Sequence, residues 1–290
     1  MGDQKRIALF VTRVRMDEKL LIEALQRRNI PFDLLYDGDI VFDLANPDPY
    51  WRTCSAVLCR NISQSRGLVV ASVLEQWGIA VYNTFSVMAT CNDKLLTTLA
   101  LLRANVPTPR TMVAFEKWSA LRGIECIQYP VVLKPIVGSW GRLLSRVNDQ
   151  DAAEAVLEHK ETLGSYQHHI HYVQEYIRKP QRDIRALVVG DYTIGAKYRV
   201  SEHWVTSSNR GAKAMPCEVD KELDHLCIQA ARAVGGGILA IDVLEDPERG
   251  YLVNEINATM EFRESLVSTG ADIPNHILDY VLDDCNKREK

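Results

Sequence analysis

The first ninety residues alternate two patterns. Ile7-Ala-Leu-Phe-Val11 is a continuous apolar run, suited to a strand covered on both faces. Asp17 then caps a stretch in which Leu20, Leu21, Ala24 and Leu25 recur at helical spacing. Phe32 to Tyr36 and Ala56 to Cys59 read as further strands, Leu68 to Trp77 as a helix and Ala80 to Tyr82 as a short strand. Alternation of this kind predicts a parallel sheet covered by helices. Another helix starts at Asn92, with Leu95, Leu96, Leu99 and Leu102 on one apolar stripe. Val106-Pro-Thr-Pro109 breaks the chain after it.

From Thr111 the pattern changes. Strands at 111–115, 130–136, 143–147, 170–177, 182–190 and 192–200 alternate with only a few helices, and Gly190-Asp191 marks a hairpin. This half reads as α+β with antiparallel sheets. No repeat or low-complexity tract interrupts it.

Composition narrows the class. The 290 residues are 47% apolar and 25% charged, which suits a globular protein and excludes a disordered chain, a fibre or a coiled coil. No apolar run approaches the roughly 20 residues needed to cross a bilayer, so no membrane partner is expected. The run at Ile7 is too short for the core of a signal peptide and reads as a first strand. The net charge of −4 argues against a nucleic-acid partner. The seven cysteines are odd in number and contain no C-x-x-C pair, which predicts reduced thiols in a cytoplasmic protein without structural zinc.

Three segments carry chemistry. Leu239 to Asp246 and Tyr251 to Asn257 read as two strands joined by a four-residue turn, Pro247 to Gly250. Pairing Asp246 with Tyr251 sets Asp242 opposite Glu255, and Asn257 shares the face of Glu255. Ile241, Val243, Leu252 and Ile256 then fill the other face. Facing carboxylates repel unless a cation lies between them, and all-oxygen ligands suit Mg²⁺ shared with substrate phosphates. The alternative is an ordinary hairpin with two exposed acids. In the second segment, Pro130-Val-Val-Leu-Lys-Pro135, Lys134 sits in an otherwise buried strand and must meet an anion. Gly138, Ser139 and Gly141 follow as a flexible loop whose amides could cover phosphates, although the P-loop spacing is absent. The third segment, Arg178 to Lys213, holds eight basic and three acidic residues, a local charge of +5. Its Arg185, Lys197 and Arg199 could gather phosphate and carboxylate groups, or the stretch is a solvated basic face.

Lys94, Lys134, the Gly138–Gly141 loop, Gln174-Glu175-Tyr176, Arg182-Asp-Ile-Arg185, Asp242 and Glu255-Ile-Asn257 occur in the order seen in ATP-grasp ligases, and the resemblance covers nearly the whole chain. Within that superfamily the chain resembles the ligases that attach an amino acid to a carrier or ribosomal protein. Arg60-Asn-Ile-Ser-Gln-Ser-Arg-Gly67, Pro135-Ile-Val-Gly-Ser-Trp-Gly-Arg142, His203-Trp204, Thr259-Met-Glu-Phe262 and Thr269-Gly-Ala-Asp-Ile-Pro274 are similar to the lysine-biosynthesis ligases. Those join α-aminoadipate to the C-terminal glutamate of an amino-group carrier protein; arginine-pathway relatives attach glutamate.

The resemblance implies an α/β plus α+β protein of ATP-grasp fold. An N-terminal pre-ATP-grasp α/β domain would span 1–91, a central subdomain 92–174 and a C-terminal subdomain with the metal site 175–290, the last two enclosing ATP. It implies Lys94, Lys134 and the loop residues Gly138, Ser139, Trp140 and Gly141 at the phosphates. Gln174, Glu175, Tyr176 and Ile177 would lie at the adenine and Asp183 near the nucleotide. Asp242, Glu255 and Asn257 would hold Mg²⁺ or Mn²⁺. Arg185 would face the transferred phosphoryl group, and Arg199 and Arg210 the reacting carboxylates. Arg60, Ser65, Ser208, Asn209, Thr269 and Gly270, with Arg199 and Arg210, would take the substrates. The implied partners are ATP, α-aminoadipate or glutamate, and an acidic carrier protein, with the enzyme a homo-oligomer.

Two departures from that pattern concern specificity. Ser207-Ser-Asn-Arg-Gly-Ala212 stands where Asn-Thr-Ala-Arg-Gly-Gly is usual, and Ala258 stands where histidine follows the asparagine. Two other enzyme readings compete, a ribosomal-protein glutamate ligase and a small dipeptide ligase. A non-catalytic nucleotide-binding regulator fits less well, because a pure binder needs no full metal set. Among the remaining residues, His168, His169 and His171 lack a nearby acid to complete a metal site. Cys59 and Cys91 read as small buried residues, Trp140 and Trp204 as loop packing, and Asp37, Asp39 and Asp43 as loop acids.

Overall fold

The computed structural model describes residues 6–138, 141–164, 169–207 and 210–288. Ser139, Trp140, His168, Ser208 and Asn209 lie outside the described residues. The chain runs β1 (Arg6–Val11), α1 (Met16–Arg27), β2 (Phe32–Tyr36), β3 (Cys54–Arg60), α2 (Gln64–Gln76), β4 (Val81–Tyr82), α3 (Phe85–Asn92) and α4 (Lys94–Arg103). It continues through β5 (Thr111–Ala114), α5 (Lys117–Ile127), β6 (Val131–Lys134), β7 (Ser145–Val147), α6 (Gln150–Leu163) and β8 (His171–Glu175). The last part is β9 (Arg182–Val189), β10 (Tyr192–Val200), β11 (Lys213–Cys217), α7 (Lys221–Ala233), β12 (Ile238–Asp246), β13 (Gly250–Asn257), α8 (Arg263–Thr269) and α9 (Ile273–Arg288).

The first four strands form a parallel sheet in the order β2-β1-β3-β4. The apolar runs of β1 and β3, the two inner strands, reflect burial on both faces, while the edge strand β2 is only half-buried. Along β1, Ala8 and Phe10 enter one core, while Ile7, Leu9 and Val11 enter another. The other two sheets are antiparallel, ordered β5-β8-β6-β7 and β11-β10-β9-β12-β13. The expected hairpin joins β9 and β10: Val189 pairs with Tyr192 across Gly190-Asp191, and Gly190 has φ +61°.

The cores tie the sheets together unequally. Phe10 and Val57 of the parallel sheet share one core with Ile184, Val188 and Ile241 of the five-stranded sheet. Ile7 and Leu9 share the other with Leu187, Val189, Ile238 and Ile277. The central sheet has its own core, which includes Ile124, Leu133, Leu157 and Val173.

The leucine stripe of α4 is the main correction at this level. Leu96, Leu99 and Leu102 are 45%, 46% and 56% exposed, and the helix buries Thr97, Thr98 and Leu101 instead. The threonines can be buried because their hydroxyls are satisfied. Thr97 donates to the Thr90 carbonyl at 2.8 Å, and Thr98 bonds the Tyr172 hydroxyl at 2.8 Å. The rotation of α4 is set at its first turn, where Asp93 bridges to Val137 and the Lys94 amide donates to the Ile136 carbonyl.

Candidate active site

A cleft of about 490 Å³ lies between the central sheet and the five-stranded sheet, with the start of α1 and residues 61–64 at its margin. The β12–β13 hairpin floors it. Asp242 does pair with Glu255, but by a different register from the one expected. The hairpin turn has three residues, not four, because Gly250 with φ +76° already pairs with Asp246. The strands therefore begin one residue out of the expected register. A β-bulge takes up the difference: Asp242 pairs with Glu255 and Val243 with Val253, leaving Asn254 as the extra residue. The bulge changes which residues face which way. Asn254, Glu255 and Asn257 all line the cleft. Val253 rather than Leu252 joins Ile241, Val243 and Ile256 in the core, while Leu252 packs with Leu244 and Ile177.

Asp242, Glu255 and Asn257 present oxygen donors only. Glu255 makes no hydrogen bond or ion pair with the described residues, and the buried Nδ2 of Asn257 has no hydrogen-bond partner. The two ends of that amide are interchangeable on turning it, so Oδ1 can occupy the same place. No cluster of three or more His, Cys, Asp or Glu side chains that could hold a metal occurs among the described residues. The donor set fits a hard cation completed by amide and phosphate oxygens, such as Mg²⁺.

On the opposite wall Lys134 is 7% exposed. Its Nζ donates to Gln174 Oε1 at 2.6 Å and to Asn254 Oδ1 at 2.9 Å, both neutral acceptors. Burial pulls this ammonium down to about 8, against the opposing pull of Glu255. No carboxylate is among its hydrogen-bond partners, so the third ammonium donor is open to an anion entering the cleft. Gln174, Glu175, Tyr176 and Ile177 continue along the same wall. Glu175 is held by Arg249 at 2.9 Å and by the Arg110 amide at 2.6 Å. Trp204, expected to be loop packing, lines the cleft against Tyr176 with ring centroids 6.1 Å apart, and Arg146 lies over both rings.

The basic stretch proves to be mostly neutralised within the protein. Arg185 Nε lies 2.8 Å from Asp242 Oδ1, and Arg199 reaches Asp183 at 2.7 Å and Asp242 at 3.1 Å. Lys179 lies 3.5 Å from Asp183, Arg182 2.7 Å from Glu245 and Lys197 3.2 Å from Glu264. Thr206 also donates to Asp183. Burial alone would raise the Asp242 carboxyl, but Arg185 and Arg199 outweigh it and hold it below the usual carboxylate range. Burial lowers Lys179 and Lys197, opposed by Asp183 and Glu264. Asp242, Glu245 and Glu264 from other segments thus offset three of the five positive charges, so most of the sequence count is not a surface patch.

Gly141, Asp183, Arg185 and Arg199 also line the cleft. Other expected residues do not. Lys94 Nζ donates to the Gly138 carbonyl at 2.7 Å, bracing the glycine loop at its base. Arg210 is exposed and reaches the Gly141 carbonyl at 3.4 Å. Arg60 is buried beside Glu18 at 3.0 Å and donates to the Met260 carbonyl at 2.7 Å, so it ties α1 to the segment after β13. Ser65 lies in the first turn of α2. Thr269 donates to the Ser265 carbonyl, and Gly270 ends α8 in the left-handed conformation. The cleft adds residues that sequence reasoning missed: Arg15, Asp17, Asn61, Gln64, Asn254 and Glu264. Apart from Asn254, which lies inside β13, these are polar residues at or near element ends, too common to single out from pattern alone. Cys59 and Cys91 are buried thiols pushed up to about 12, and buried His171 lies 3.7 Å from Glu161.

Comparison with known proteins identifies the family and the fold. Residues 91–281 match the RimK-like ATP-grasp domain, and residues 7–90 match the LysX preATP-grasp domain. The α-aminoadipate–LysW ligase LysX of Saccharolobus solfataricus is 36% identical over 266 residues, covering 91% of this chain and 96% of that protein. The glutamate–LysW ligase ArgX of Sulfolobus acidocaldarius is 33% identical over 281 residues, covering 95% and 98%. A RimK domain ATP-grasp protein from Sphaerobacter thermophilus DSM 20745 has a TM-score of 0.79 at 28% identity, covering 96% of this chain and 99% of that one. The ATP-grasp ligase PsnB, solved with its minimal precursor, Mg and ADP, shares the fold at a TM-score of 0.72 and 18% identity, covering 97% and 98%. The chain therefore belongs to the RimK-like ATP-grasp family with a LysX preATP-grasp domain, and is an ATP-dependent, ADP-forming carboxylate–amine ligase.

Proposed function

We propose that the protein attaches a dicarboxylic amino acid, α-aminoadipate or glutamate, to the C-terminal glutamate of a LysW-type carrier protein. The observation that carries this reading is the full-length match to two sets of LysW ligases, with the oxygen set and the buried lysine facing each other across one cleft. In this reading the carrier carboxylate attacks the γ-phosphorus of ATP, giving an acyl phosphate and ADP. The amine of the amino acid attacks the acyl carbon, loses a proton and expels phosphate, leaving an amide. Lys134 binds phosphate oxygens, and Gln174 to Ile177 with Trp204 form the base pocket. Arg185 and Arg199 lie where the acyl phosphate forms and offset its charge. Asp242, Glu255 and Asn257 would hold Mg²⁺, which supplies charge neutralisation for the phosphates. Lys197 and Glu264, with Arg15 and Arg263 at the margin, are left to orient the amino acid.

ADP release is measured with a purified LysW-type carrier and each amino acid, alongside a ribosomal-protein tail peptide and free amino acids alone. The reading expects ADP release only with carrier and a dicarboxylic amino acid, and a carrier heavier by that residue. Equal turnover without carrier, or with the tail peptide in its place, would overturn it.

A further inference from the structure

We infer that Asn254 is a positioning residue that holds the Lys134 ammonium toward the nucleotide phosphates without neutralising it; this rests on the nucleotide site proposed above. In a regular hairpin, residue 254 would alternate with Glu255 and face away from the cleft. As the extra residue of the bulge it lines the cleft beside Glu255. From there its Oδ1 meets Lys134 Nζ at 2.9 Å, a link between the five-stranded sheet and the central sheet.

The chemistry of the contact is specific. An ammonium has three donors. Gln174 and Asn254 accept two, which fixes the direction of the third. Both acceptors are neutral, so no carboxylate is bonded to the ammonium, and its third donor is left for an incoming anion, although Glu255 and Asp242 act on its charge from a distance. A carboxylate at position 254 would have nearly the same shape but would pair with the ammonium and compete with phosphate. The near-isosteric replacement should therefore be more harmful than the loss of the side chain.

The test is binding of ADP alone, by calorimetry in metal-free buffer, so that the metal set takes no part. Wild type, Asn254→Ala and Asn254→Asp are compared, each also combined with Lys134→Met. Asn254→Asp should weaken ADP binding by at least about tenfold, or roughly 1.4 kcal/mol, and Asn254→Ala by less. With Lys134→Met in the background, Asn254→Asp should change affinity by less than about twofold, because the effect runs through the lysine. Equal affinity of Asn254→Asp and wild type would overturn the inference. So would an equal loss in the Lys134→Met background, which would mean simple repulsion of phosphate. If the wild-type protein failed to bind ADP at all, the nucleotide-site assignment itself would fall, a separate and recognisable failure.

Discussion

Lys134 sets two opposite pH dependences. Its folded-state value of about 8 lies below the ordinary lysine value of 10.5, so the folded protein gives up a proton that the unfolded chain keeps. Stability should rise between pH 8 and 10.5 from this group, because the unfolded state binds more protons there. Binding of metal-free ADP needs the charge and should weaken above pH 8, approaching about tenfold per pH unit. Thermal melts and ADP titrations over the same pH series check both signs. Glu255 is the complementary case. Its replacement by Gln keeps the shape but removes a donor that the protein leaves without a hydrogen-bond partner. Glu255→Gln should leave the melting temperature near wild type. It should lower Mg²⁺-dependent ADP release by at least the roughly 10–100-fold that losing a supporting residue costs. Near-normal turnover would remove Glu255 from the metal set. Single residues were unevenly legible. Lys134 stood out because a charge in an apolar strand needs a partner. Arg60 is the contrary case: its partners, Glu18 and Met260, lie 42 and 200 positions away, which no local pattern reveals.

At the scale of elements, the pattern located the strands well and their faces less well. The placement of Asp242 opposite Glu255 came out right through two offsets: a turn one residue shorter than expected and a bulge that restores the register. No glycine or proline marks Asn254, so nothing local announced it. Helix α4 shows the opposite failure. Its leucine stripe is a sound helical signal, yet tertiary bonds at Lys94 and Thr98 turn Leu101 inward and leave Leu99 half exposed. Leu101→Ala should therefore cost about 2–5 kcal/mol, and Leu99→Ala should stay within roughly 1 kcal/mol. Denaturant unfolding of the two variants decides which face is buried; equal losses would contradict the observed rotation.

For the whole molecule, the change from alternating to strand-rich pattern near Thr111 was enough to foresee a parallel sheet followed by antiparallel ones, but not how the later strands divide between two sheets. Net charge was a poorer guide, since the basic stretch meets its acids only in the fold. Strong electrostatic steering of an acidic carrier is therefore not expected. The carrier KM should change by no more than about threefold from low to high salt, measured at saturating ATP. A steep salt dependence would point to exposed cations such as Arg178 and Lys213 as the docking charge. The shared cores have a consequence for synthesis. Ile7 and Leu9 leave the ribosome well before their core partners Leu187, Ile238 and Ile277. At about 5–20 residues per second, the parallel sheet waits on the order of ten seconds or more with apolar surface uncovered. A fragment ending at residue 90 should accordingly bind a dye for exposed apolar surface and aggregate. The full chain should gain protease resistance over that segment only when its last helix emerges.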